Sequence, residues 1–93
     1  SKSLTTGNIT VDCGACPLQY ITNGGAFTIT APIKDGSCLI LVTNNASAGA
    51  ITFSGFTVGS STGSALNTTS TNKFIISVRR VNAVATYSIY ALQ

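Results

Sequence analysis

The stretch KFIISVRRVNAVATYSIYAL at residues 73–92 admits few folds. Apolar residues recur at every second position in each half, the period of a strand rather than the 3.6-residue period of a helix. Folding the stretch about Asn82-Ala83 sets Val81 opposite Val84. The same register pairs Phe74 with Ala91, Ile76 with Ile89 and Val78 with Tyr87 on one face. On the other face it pairs Ile75 with Tyr90, Ser77 with Ser88 and Arg79 with Thr86. A slip of one residue would exchange the two faces, so agreement on both sides fixes the register. Arg79 then points outward, and Arg80 lies on the inner face near the turn, where a long stem carries its charge to the rim.

The rest of the chain reads the same way. NITVDC (8–13) places Ile9, Val11 and Cys13 on one face, and AFTITA (26–31) places Phe27, Ile29 and Ala31 on one face, each as a half-buried strand does. PLQYIT makes a short strand between them, ended by the turn signal Asn23-Gly24-Gly25. CLILVT (38–43) is apolar on both faces, with Leu39 and Leu41 opposite Cys38, Ile40 and Val42. Such a strand is central and covered twice. One cover is the second sheet of the domain, and the other, over Leu39 and Leu41, is a loop or a neighbouring subunit. AITFSGFTV (50–58) changes phase midway, which predicts a β-bulge at Ser54-Gly55. Residues 59–72, almost free of apolar side chains, read as a long exposed loop, and no tandem repeat is evident.

These segments predict an all-β protein, an antiparallel β-sandwich of about seven short strands of jelly-roll or immunoglobulin-like type. At 93 residues the chain holds one core. Residues 8–93 form the single domain and residues 1–7 an extended N-terminal arm, in which Lys2 and Leu4 are candidates for adding a strand to a neighbour. No apolar run approaches the roughly 18 residues of a membrane span, and the start SKSLTTGN lacks a signal-peptide core, which predicts synthesis in a cytosol.

Charged residues are only 8% of the chain, against roughly a quarter in an average soluble protein. Ser, Thr, Asn and Gly replace them, giving a surface that is cheap to desolvate and suited to burial in an assembly. The net charge of +3 is spread along the chain, not clustered as nucleic-acid binding requires. Lys34 and Arg79 are candidates for gripping an acidic partner, and Tyr90 beside Ile75 for an intersubunit patch.

Catalysis has little material here. The chain has no His and no Glu, and its two carboxylates, Asp12 and Asp35, sit on a strand's outer face and in a turn. No acid–base pair or triad is expected. Cys13-Gly-Ala-Cys16 has the thioredoxin spacing without the helix and βαβ unit that lower the thiol pKa in that fold. Cys13, Cys16 and Cys38 offer three ligands where zinc takes four, so neither metal nor cofactor is expected. A Cys13–Cys16 or a Cys16–Cys38 disulfide fits the count, but the main expectation is that all three act as small apolar residues.

The run GAFTITAPIKDGSCLILVTNNASAGAITFSGFTVG, followed by the loop and NKFIISVRRVNAVATYSIYALQ, resembles small structural proteins of tailed bacteriophages and prophages of soil bacteria. The shared features are the apolar strand, the Asn/Ala/Gly turn, Phe-Ser-Gly-Phe, the Gly/Ser/Thr loop and the closing strand pair ending in Ala-Leu-Gln. The resemblance implies a virion component without catalytic residues. The leading expectation is a capsid decoration protein on the capsid surface. Its partners would be the major capsid protein or other virion subunits and further copies of itself, a trimer among the candidate forms. The rival is a receptor- or glycan-binding head domain of a tail fibre or spike.

Overall fold

The computed structural model describes residues 1–57 and 62–92. Among these residues the regular structure is entirely β, in nine strands: β1 (Lys2–Ser3), β2 (Ile9–Thr10), β3 (Leu18–Asn23), β4 (Phe27–Thr30), β5 (Gly36–Asn44), β6 (Ile51–Ser54), β7 (Thr62–Gly63), β8 (Lys73–Val81) and β9 (Val84–Ala91). They form a six-stranded sheet in the order β1-β3-β5-β8-β9-β7 and a three-stranded sheet in the order β2-β4-β6.

The terminal hairpin has the register that its sequence dictates, from Phe74 opposite Ala91 to Val81 opposite Val84. Asn82 and Ala83 take φ of 50° and 67°, the paired positive values of a type I′ turn, whose twist matches the flanking strands. β8 also pairs antiparallel with β5, Ile40 facing Ile76, which puts the doubly apolar β5 in the middle of the large sheet.

The antiparallel expectation holds for β5, β8 and β9 and fails elsewhere. β1, β3 and β5 pair in parallel, as do β2, β4 and β6. The physical reason is that from β1 to β6 the chain changes sheet at every corner, so each return lands beside the previous pass in the same direction. The result is a short stack of coils. Lys2 aligns with Gln19 and Gln19 with Ile40, so successive coils take 17 and then 21 residues. In the small sheet Ile9 aligns with Ile29 and Ile29 with Phe53, a spacing of 20 and then 24. These unequal lengths are why no tandem repeat is visible in the sequence.

One core lies between the sheets. Ile21, Ile40, Val42, Phe74, Ile76 and Val78 of the large sheet pack with Phe27 and Ile29 of the small one, all buried. The expected bulge at Ser54-Gly55 is instead a strand end. β6 stops at Ser54 and Gly55, at φ +80°, turns the chain so that Phe56 meets Phe53 edge to face at 5.9 Å. Phe53 stacks on Tyr87 at 3.8 Å, extending the core beneath β9. The expected 59–72 loop lies in part outside the described residues. Within it Thr62–Gly63 pairs in parallel with β9, and Leu66 packs against the core.

Candidate functional site: an apolar sheet face

The outer face of the large sheet follows from strict alternation. In β3, Gln19, Ile21 and Asn23 are buried while Leu18, Tyr20 and Thr22 are exposed. β5 buries Cys38, Ile40, Val42 and Asn44 and turns Leu39 and Leu41 outward. Ile75 of β8 and Tyr90 of β9 share that side.

The strand registers assemble these residues into rows. Tyr20 aligns with Leu41, Leu41 with Ile75 and Ile75 with Tyr90, a line across four strands. Beside it runs Leu18, Leu39, Ser77 and Ser88. Leu18, Tyr20, Leu39 and Tyr90 keep between 40% and 53% of their surface in solvent. A depression of about 170 Å³ lies among Leu18, Tyr20, Leu39, Leu41 and Ile75. Exposed apolar surface gathered in two adjacent rows differs from the scattered apolar residues of an ordinary surface.

Four of the residues that the sequence nominates for interaction, Leu39, Leu41, Ile75 and Tyr90, are thereby brought together. Arg79 joins them at one end, in a row with Ser37 and Thr86, its guanidinium donating to Ser77 Oγ at 3.3 Å. The other three lie elsewhere. Lys2 is exposed on β1 beside Gln19. Leu4 donates its N–H to the Tyr20 carbonyl and packs against the core. Lys34 sits in the exposed turn between β4 and β5 and lines a groove of about 370 Å³ with Asp12, Ile33 and Asp35. Leu18 and Tyr20 belong to the face but are absent from the nominated set. Their signal was the alternation Leu-Gln-Tyr-Ile-Thr-Asn at 18–23, with a glutamine and an asparagine at inward positions.

Those inward amides hold the edges of the site. Gln19 Nε2 donates to the carbonyls of Asp12 and Cys16, both at 2.8 Å, fixing the Cys13-Gly14-Ala15-Cys16 turn. The turn is further tied by a disulfide between Cys13 and Cys38, with Cα atoms 5.1 Å apart. This corrects the expectation of three small apolar thiols. Cys13 packs against the core from the incoming segment and Cys38 from β5, so two inward-facing positions meet, while Cys16 is left as the half-buried thiol.

Neither carboxylate approaches the apolar rows. Asp12 Oδ1 accepts the Gly14 N–H at 3.1 Å. Asp35 clamps the hairpin turn: Oδ2 accepts the Asn82 N–H at 2.9 Å and Oδ1 accepts Arg80 Nη1 at 2.8 Å. The Asn82 N–H in the first place, with help from the Ala83 N–H and the Arg80 guanidinium, holds the Asp35 carboxyl below the usual carboxylate range and outweighs desolvation. Among the described residues no three His, Cys, Asp or Glu side chains converge as metal ligands, and no helix is long and apolar enough to cross a membrane. No family model, curated protein or solved structure matches this chain.

Proposed function

We propose that the chain is a non-enzymatic structural component of a phage virion, a decoration protein that docks on the capsid and reinforces it. One observation carries this reading: the contiguous apolar face of Leu18, Tyr20, Leu39, Leu41, Ile75 and Tyr90 on the large sheet. On a chain with so few charges, burying this face removes apolar area from water at roughly 25 cal/mol per Å² while desolvating few ions. In this reading the two sheets act as a β-sandwich whose large sheet is the seam between subunits. Arg79 at the rim would orient an acidic partner, contributing more to encounter and register than to affinity.

A second reading, a receptor- or glycan-binding head domain of a fibre or spike, is favoured by the parallel coil stack. Stacked coils build elongated shafts, and here β1 and β2 leave both sheets open-edged at one end of the stack.

Immuno-electron microscopy of induced phage particles with an antibody to this chain tests both. Label spread over the head lattice supports the decoration role. Label confined to the tail tip supports the second reading, and particles free of label refute both.

A further inference from the structure

We infer that Asn23 is a self-modification site gated by unfolding: locked while the end of β3 stays packed, it closes on Gly24 once that corner opens, and the product cannot rebuild the corner. The chemistry needs only this chain and water, so it holds whatever partner the outer face meets.

Asn23-Gly24 is the one Asn-Gly pair in the sequence, and the other six asparagines each precede a residue with a side chain. Glycine, with no Cβ and the widest choice of φ, leaves its nitrogen free to approach the side chain before it. In an open chain the Gly24 nitrogen bonds to Asn23 Cγ, and the Cγ–Nδ2 bond breaks. The proton of that nitrogen leaves with Nδ2 as ammonia, and a cyclic succinimide remains. Water then adds at either ring carbonyl and breaks its bond to the Gly24 nitrogen. Cleavage at the side-chain carbonyl gives aspartate, and cleavage at the main-chain carbonyl gives isoaspartate. Nothing is oxidised or reduced.

In the folded chain this path is closed. Asn23 is fully buried, and both ends of its amide are held. Nδ2 donates to Asn44 Oδ1 at 3.2 Å and to the Gly49 carbonyl at 2.9 Å. Oδ1 accepts the N–H of Gly49 at 3.1 Å and that of Gly25 at 3.4 Å. The Asn23 carbonyl is also held, by the Asn45 N–H at 3.1 Å. Swinging Cγ onto the Gly24 nitrogen breaks the side-chain bonds together, inside the protein. The reaction rate therefore follows the population of the opened corner.

The product cannot return to that place. A carboxylate has no donor, so the oxygen replacing Nδ2 would face Asn44 Oδ1 and the Gly49 carbonyl, acceptor against acceptor, with a charge taken out of water. Rotating the Asn44 amide to offer its own Nδ2 would strip the carbonyls of Asn67 and Thr69. Isoaspartate adds a main-chain atom as well, which carries the turn after β3 out of register with Asn45 and Gly49. A chain that recloses promptly recovers, and one that stays open long enough loses its corner for good.

The test compares deamidation at Asn23 in native buffer and in guanidinium chloride at the same mildly alkaline pH, read by peptide mapping. A Cys16→Ser background excludes disulfide exchange. The rate in denaturant is expected to exceed the native rate at least about a hundredfold, because opening of a buried corner is rare. After dilution, the refolded fraction, relative to chains diluted at once, should track the fraction that kept Asn23. Gly24→Ala should keep both high, which separates this chemistry from other damage done in denaturant. Alanine fits there, since Gly24 takes no positive φ and its Cβ would meet side-chain atoms of Asn45 and Thr6 rather than backbone. A smaller ratio of rates would mean that the hydrogen bonds of Asn23 do not gate the reaction. Deamidated chains that refold as fully as intact ones would mean that the corner accepts the acid. Either result overturns the inference.

Discussion

Asn23 Nδ2 donates to Asn44 Oδ1 at 3.2 Å across the adjacent parallel strands β3 and β5, and both side chains are buried. The contact is one step in a column. Asn23 also grips the peptide of Gly49, donating to its carbonyl at 2.9 Å and accepting its N–H at 3.1 Å. Asn44 Nδ2 donates to the carbonyls of Asn67 at 2.8 Å and Thr69 at 3.1 Å. At the two corners where the chain leaves the large sheet after β3 and after β5, a buried asparagine thus satisfies the loop above it. Each amide supplies both a donor and an acceptor, which no apolar residue of similar size provides.

The column predicts a large penalty at Asn44. In Asn44→Leu the volume is kept, but the Asn23 amide loses a buried partner and the carbonyls of Asn67 and Thr69 lose a part-buried one. The expected loss is about 2–4 kcal/mol in urea denaturation, since each orphaned buried group costs about 1–3 kcal/mol. Asn44→Asp should fare no better, because a carboxylate cannot donate to the two carbonyls. A loss under about 0.5 kcal/mol, the range of ordinary surface changes, would mean that water replaces the amide and that the column is incidental.

What could be read from the sequence divides along the same line. The register of β8 on β9 was legible because the two strands are consecutive and alternate strictly on both faces. The parallel pairing of β3 with β5 was not, because the partners belong to coils of unequal length and nothing local marks them. Asn23 and Asn44 look like turn residues in the sequence, and so they are, but their burial depends on stacking that only the coil creates. For the site, Leu39, Leu41, Ile75 and Tyr90 follow from alternation in the long strands. Leu18 and Tyr20 escape because β3 looks short and polar until Gln19 and Asn23 are given buried partners.

Gly49 and Gly25 lie at one corner and should respond oppositely to alanine. A Cβ on Gly49 would collide with the backbone of Gly25 and Ala26, whereas a Cβ on Gly25 meets nothing within 4 Å. Gly49→Ala must displace the corner and break the Asn23–Gly49 hydrogen bonds, at an expected cost of roughly 2–4 kcal/mol. Gly25→Ala should change stability by less than about 1 kcal/mol, in the stabilising direction if the lower entropy of the unfolded chain dominates. Thermal denaturation of the two variants side by side decides the matter, and equal effects would remove the packing argument.

The Cys13–Cys38 disulfide spans 25 positions of sequence. By loop-closure entropy, a bridge of that span stabilises by about 3–4 kcal/mol. Cys38→Ala in a Cys16→Ser background should therefore lower the unfolding free energy from urea denaturation by that amount, and reductant should lower that of the parent protein equally. If reductant leaves the parent unchanged while mass spectrometry shows its thiols free, the bridge contributes nothing, and the packing of Cys13 and Cys38 accounts for both positions.

Asp35 makes the hairpin turn pH-dependent. Its carboxyl titrates below the ordinary range in the folded chain because the Asn82 N–H, the Ala83 N–H and Arg80 favour the charged form. A depressed folded-state pKa contributes stability that is fully present above the unfolded carboxylate value, near 4. That contribution is lost as pH falls through the lower, folded value. Melting temperature followed from neutral pH downward should therefore fall below about pH 4, and Asp35→Asn should flatten the fall while lowering stability at neutral pH. The variant keeps an acceptor for one turn N–H but gives up the ion pair with Arg80, so amide exchange at Asn82 and Ala83 should quicken even at neutral pH. A variant with the parent's pH profile would remove the Asp35 clamp as the source of the acid sensitivity.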